Sequence, residues 1–124
     1  MLVSKLHYHR VSKQLDIYFE SGQMSSLSAE FLRVHSPSAE VQGHHSGEPL
    51  LVTNKKSVAI AKIEPVGHYA VRLLFDDGHH SGLYSFTYLA QLCSDTQQLW
   101  QTYLERLKAA NAQRDASIAI RVTP

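Results

Sequence analysis

Leu15, Ile17 and Phe19 alternate with Asp16, Tyr18 and Glu20, the period-two pattern of a strand with one buried face. The stretch before it, Lys5 to Val11, is rich in β-formers, and Ser12-Lys13-Gln14 supplies a hairpin connection. Ser21-Gly22 then turns the chain. Ser28 stands where a helix N-cap belongs, ahead of Ala29, Glu30, Phe31, Leu32 and Arg33. Its hydroxyl can accept a backbone N–H that the first helical turn leaves unpaired. Pro37 biases Ser36 toward extended geometry, so this helix should stop near His35. From Ser38 to Pro49 no period is visible and Gly43 and Gly47 interrupt the chain, which predicts a long loop. Such loops are uncommon in compact domains and are often functional.

The second half of the pattern is cleaner. Ser57 to Glu64 reads as a strand whose imperfect alternation suggests a bulge, and Pro65-Val66-Gly67-His68 as a turn. Tyr69, Val71, Leu73 and Phe75 share one strand face, with Ala70, Arg72 and Leu74 on the other. Asp77-Gly78 is a hairpin signal that returns the chain through Ser81 to Tyr84. Ser85 can cap a helix containing Phe86, Leu89, Ala90 and Leu92, and Ser94 with Gln97 forms a capping-box pattern for a last helix, about residues 95–114. Leu99, Trp100, Tyr103, Leu104 and Leu107 recur on that helix at core spacing. In the tail, Ile118, Ile120 and Val122 alternate, so a late edge strand competes with a frayed end. Hairpins rather than crossovers join most neighbours. The expected fold is a two-layer α+β domain, a mostly antiparallel or mixed sheet with helices packed on one face.

Composition changes this picture little. With 124 residues, residues 1–124 make one domain large enough for a core without staples. The formal charge of +1 offers no broad footprint for nucleic acid or an anionic membrane, so neither is an expected partner. The single Cys93 excludes an intramolecular disulfide and a multi-cysteine zinc or iron–sulfur site; at a helix end it reads as a small buried hydrophobe. The first ten residues lack the apolar run of a signal peptide, and no stretch approaches a membrane span. The expected compartment is the cytoplasm.

Eight histidines stand out. His7 and His9 point to one strand face at a chelating spacing, although the ordinary reading is two histidines on a solvated face. His44-His45 with Glu48 lie in the predicted loop, where the glycines equally mark a simple connection. Asp76, Asp77 and His79 gather at the hairpin as an acid/base or metal cluster, but Asp and Gly are also what a tight turn requires. Of His79 and His80, at most one can face inward. No G-x-S-x-G, P-loop or G-x-G-x-x-G pattern occurs. No histidine has Asp or Glu two positions later, so the cue for a two-His, one-carboxylate iron site is missing.

Three separated runs, in order, carry a resemblance. They are Leu32-Arg33-Val34-His35-Ser36-Pro37-Ser38-Ala39-Glu40-Val41 with Gly43-His44; Ile63-Glu64-Pro65-Val66-Gly67-His68-Tyr69-Ala70-Val71-Arg72; and Phe75-Asp76-Asp77-Gly78-His79 with Ser81-Gly82-Leu83-Tyr84-Ser85 and Tyr88-Leu89. Together they resemble the gamma-butyrobetaine hydroxylase-like N-terminal domain over about Leu6 to Leu92, a family of small bacterial proteins of unknown function. In the eukaryotic hydroxylases this domain precedes a catalytic jelly roll holding iron and 2-oxoglutarate. No counterpart of it is found here, so the resemblance implies no hydroxylation. Similar domains joined to P-loop carrier ATPases suggest a role in iron–sulfur or metallocofactor maturation. The hydroxylase version holds zinc through three cysteines and a histidine. Those cysteine positions fall on Ser36, Ser38 and Val41, and the histidine falls on His79. Hydroxyl and isopropyl groups do not replace thiolates.

The leading expectation is therefore a non-catalytic module that binds an unknown protein or small ligand through Arg33, His44, His45, Asp76, Asp77 and His79. No cofactor is expected. One alternative is a histidine-based zinc or iron protein using His79, His35 and His44; another is a small enzyme with Asp77 and His79 as an acid/base pair.

Overall fold

Two central strands organise the fold, and both are those whose alternation is cleanest. The structure, a computed structural model, describes residues 2–38, 41 and 50–115. Its elements are β1 (Val3–His9), β2 (Gln14–Phe19), β3 (Met24–Ser28), α1 (Ala29–Val34), β4 (Ile60–Val66), β5 (Ala70–Phe75), β6 (Gly82–Ser85), α2 (Phe86–Ser94) and α3 (Thr96–Ala109). The α+β class and antiparallel pairing hold, with the six strands divided between two sheets ordered β1-β2-β3 and β4-β5-β6.

Leu15, Ile17 and Phe19 of β2 and Val71, Leu73 and Phe75 of β5 are all buried and meet in one core. Leu27, Phe31, Leu32, Tyr84, Leu89 and Leu92 complete it. Each such side chain contributes about 1.5–3 kcal/mol on burial. Hydrogen bonds also cross between the sheets: the Ile60 N–H donates to the Tyr8 hydroxyl at 3.0 Å, and the Lys13 ammonium to the Ser57 carbonyl at 2.9 Å.

Serines do the capping. Ser28 and Ser85 accept the N–H of Phe31 and Tyr88, each at 3.0 Å, so α1 and α2 start directly from strand ends. Helix α1 stops at His35, as Pro37 requires. The predicted capping box at Ser94 is not used. Ser94 is the last residue of α2, and Asp95 alone separates the two helices, with no side-chain cap bond. The Thr96 hydroxyl instead donates back to the Leu92 and Cys93 carbonyls, joining the helices with almost no linker.

Strand β4 begins three residues later than predicted and runs through Pro65 and Val66. Proline is tolerated there because β4 is an edge strand; the turn falls to Gly67, at φ +61°. The register shift between Ile60 and Lys62 is the bulge behind the imperfect alternation. Likewise α3 ends at Ala109 rather than near 114. Asn111 has φ +52°, its N–H donates to the Lys108 carbonyl, and the Ala112 N–H donates to the Leu107 carbonyl, which is a Schellman stop.

Tyr103 and Leu107 of α3 are buried with Val34, Val41 and Val52 in a second cluster, with Trp100 half-buried against it. Beyond the helix, Arg114 forms two bonds to the buried Glu30 carboxylate, at 2.8 and 2.7 Å, and covers the Trp100 ring. The predicted late strand at residues 116–124 lies outside the described residues.

The Tyr84 hydroxyl, buried in the core, donates to the Leu32 carbonyl in α1. Tyr84→Phe leaves that carbonyl buried without its partner, so urea melts should show a loss of about 1–3 kcal/mol in unfolding free energy.

Candidate functional site

The last turn of α1 faces the β5–β6 hairpin. Gly78, at φ +89°, makes the tight turn after Asp77, and the Phe75 N–H donates to the His79 carbonyl at 3.0 Å. This geometry separates the paired histidines: His79 is buried and His80 exposed. The His79 Nε2 lies 2.8 Å from the Ser36 hydroxyl and 3.4 Å from that of Ser38. The Ser38 N–H donates to the Ser36 Oγ at 3.3 Å. Gly82 closes this cluster. A Cβ there would come within 2.8 Å of the Tyr84 ring and 2.9 Å of Ser36 Oγ, so only glycine fits without displacing them.

A second cross-link lies at the same junction. Asp77 Oδ2 accepts from Arg33 Nε at 2.8 Å and pairs with Lys55 Nζ at 2.6 Å, while Oδ1 accepts the His79 backbone N–H at 3.1 Å. Burial alone would raise the Asp77 pKa, but the Lys55, His79 and Arg33 donors outweigh it and hold the carboxyl at about 2. Asp76 serves the turn, accepting the Ala59 N–H at 3.0 Å. Arg33 Nη1 is buried and has no hydrogen-bond partner among the described residues.

His35 is engaged elsewhere. Its Nδ1–H donates to the Phe31 carbonyl at 2.8 Å, and its ring packs against Phe31. Burial pushes its pKa down, only partly offset by that carbonyl. The Tyr88 hydroxyl donates to the His35 carbonyl at 2.6 Å. His35 also lines a cleft of about 410 Å³ between α1, α2 and α3. Val34, Val52, Leu92, Leu99 and Tyr103 give it apolar walls, and Gln91, Asp95, Thr102 and Arg106 add polar groups.

The sequence profile of the gamma-butyrobetaine hydroxylase-like N-terminal domain matches residues 6–90. The chain belongs to that family. Three solved structures are similar to this gamma-butyrobetaine hydroxylase-like domain. One NMR solution structure is 53% identical with a TM-score of 0.80, covering 99% of this chain and 92% of its own. A second is 42% identical with a TM-score of 0.81, covering 98% and 96%. The third is a crystal structure of a protein of unknown function in the DUF971 family from Acidithiobacillus ferrooxidans, 33% identical with a TM-score of 0.61, covering 73% and 90%. No curated protein matches the chain.

The fold gathers three of the four positions that the resemblance links to zinc. Ser36, Ser38 and His79 are mutually hydrogen-bonded, and Val41 is buried in the second apolar cluster. This donor set does not suit zinc: one imidazole and two hydroxyls that stay protonated near neutral pH, with a hydrocarbon in the remaining place. Among the described residues, no three His, Cys, Asp or Glu side chains converge as a metal site. His44 and His45 lie outside the described residues.

Sequence reasoning missed Lys55, which sits in an irregular segment with no pattern pointing to Asp77. It also missed the carboxylate beside His9. Asp16 lies across the hairpin, 2.7 Å from His9 Nε2, and the Ser26 hydroxyl holds its other oxygen. Hairpin register would have revealed it, because His7 pairs directly with Asp16. His7 and His9 share a face, with ring centroids 4.3 Å apart. Cys93 is half-buried against the core, and burial raises its thiol pKa. Among the described residues no helix is long and apolar enough to cross a membrane.

Asp77 makes the junction sensitive to acid. Its folded pKa lies below the ordinary carboxylate value, so its stabilisation is complete above about pH 4 and fades as pH falls through about 2. Unfolding measured at stepped pH should show wild type losing stability across that window, and Asp77→Asn lacking that component.

Proposed function

We propose that this domain is a non-catalytic binding module that recognises a protein or small ligand at the end of α1. The observation that carries the reading is the 410 Å³ cleft, within the range of small-ligand pockets and with their mix of apolar walls and a few polar groups. It adjoins a junction held by one buried and one more exposed cross-link, which support its α1 wall before anything binds and lower the entropic cost of recognition.

The groups nearby that could do acid/base chemistry are occupied with structure. Asp77 shares its carboxylate among Arg33, Lys55 and the His79 backbone. The His79 ring is 5% exposed and faces two hydroxyls. A general acid or base must reach a substrate proton; the His79 ring is shut away from solvent and the Asp77 carboxylate is committed to three donors. The setting we propose is maturation of iron–sulfur or other metallocofactor proteins, suggested by the similar domains joined to carrier ATPases.

Thr102 is exposed on α3 and lines the cleft, so Thr102→Trp should fill it without disturbing the core. Native mass spectrometry and affinity capture with the full chain should recover a bound species with wild type, reduced at least about ten-fold by this variant. Equal recovery by both proteins, or no species with either, would remove the reading.

A further inference from the structure

We infer that Arg33 and Lys55 form a binding site for a small oxyanion, a carboxylate or phosphate group, at the junction of α1 and the β5–β6 hairpin. The inference goes beyond the binding-module reading, because neither side chain lines the cleft. Two cations meet a single carboxylate there, and both contact the same oxygen, Asp77 Oδ2. The three side chains therefore carry one net positive charge. The adjacent Asp76 carboxylate accepts the Ala59 N–H through Oδ1, and among the described residues no ion pair joins it to Arg33 or Lys55.

The geometry of Arg33 sharpens this. Its side chain is 12% exposed and its Nε donates to Asp77, while Nη1 is buried without a hydrogen-bond partner among the described residues. A buried donor left unpaired is costly, more so on a charged group. A guanidinium in that condition calls for an acceptor, and oxyanions match its planar N–H edge better than any other small ligand. Two cations converging on one carboxylate oxygen favour an anion over a neutral acceptor. An anion would approach past Lys55 and Asp77, whose side chains are 23% and 17% exposed. Lys55 itself adds an ammonium that can turn toward the incoming anion while Arg33 keeps Asp77 in place.

Acetate and inorganic phosphate, each titrated into the full chain at ionic strength held constant with chloride, test the inference. The readout is the NMR signal of the Arg33 Nε–H group together with the backbone amides of residues 33, 55 and 77. Saturable shifts confined to this junction are expected with at least one anion, and the anion that saturates tells carboxylate from phosphate recognition. Arg33→Lys keeps the charge but loses the planar fork, and should bind at least about ten-fold more weakly. Lys55→Gln sits outside the regular elements and serves as the second variant should Arg33→Lys fail to fold; it should weaken binding several-fold. Linear shifts with both anions, or unchanged affinity in Lys55→Gln, would overturn the proposal. Anion binding that survives Thr102→Trp while capture is lost, or the reverse, separates this site from the cleft.

Discussion

A six-residue helix cannot hold itself together in water, because nucleating a helix costs more than so few hydrogen bonds return. Helix α1 exists here because its neighbours complete it. Ser28 caps its start, the Tyr84 hydroxyl takes the Leu32 carbonyl, and the Tyr88 hydroxyl takes the His35 carbonyl. The two tyrosines come from β6 and α2, elements more than fifty residues further along the chain. The position of α1, and with it that of Arg33, Val34, His35 and Ser36, is thus a property of the whole fold.

That dependence explains why one short segment can serve two different environments. Arg33 reaches the hairpin and its carboxylate, while Val34 and His35 line the cleft. The Ser36–His79 and Arg33–Asp77 contacts tie the same turn to the same hairpin, one buried and uncharged in its serine partners, the other ionic and nearer solvent. Arg33→Ala or Asp77→Ala would therefore act on both sides, since removing one partner leaves the other without its charged hydrogen bond. Here the hydrogen bonds among Ser36, Ser38 and His79 make that tie with a chemistry that needs no thiolate.

Much of the fold was legible along the chain. The alternations at Leu15 to Phe19 and Val71 to Phe75 gave the two central strands, Ser28 and Ser85 gave the helix starts, and Asp77-Gly78 gave the hairpin. These are local effects: side-chain alternation, a hydroxyl within reach of its own helix, a glycine at positive φ. The misreadings were local too. Pro65 looked like a strand end until β4 proved to be an edge, and Ser94 looked like a cap until α2 was seen to run into α3 with one residue between them. The resemblance located Ser36, Ser38 and His79 as one neighbourhood, which periodicity alone could not do.

Other features had no local signature. Lys55 beside Asp77, the unpaired Arg33 nitrogen, the division of six strands into two sheets and the cleft among three helices all arise from residues distant in sequence. By itself the sequence determined the element types, most of their ends, the buried strand faces and the inward turn of only one of the two hairpin histidines, because each follows from bond geometry and burial over a few residues. Tertiary structure decided which charges meet, which donor stays unpaired and where a cavity remains, because those depend on how finished elements pack, and packing is set by long-range contacts that no short window of sequence contains.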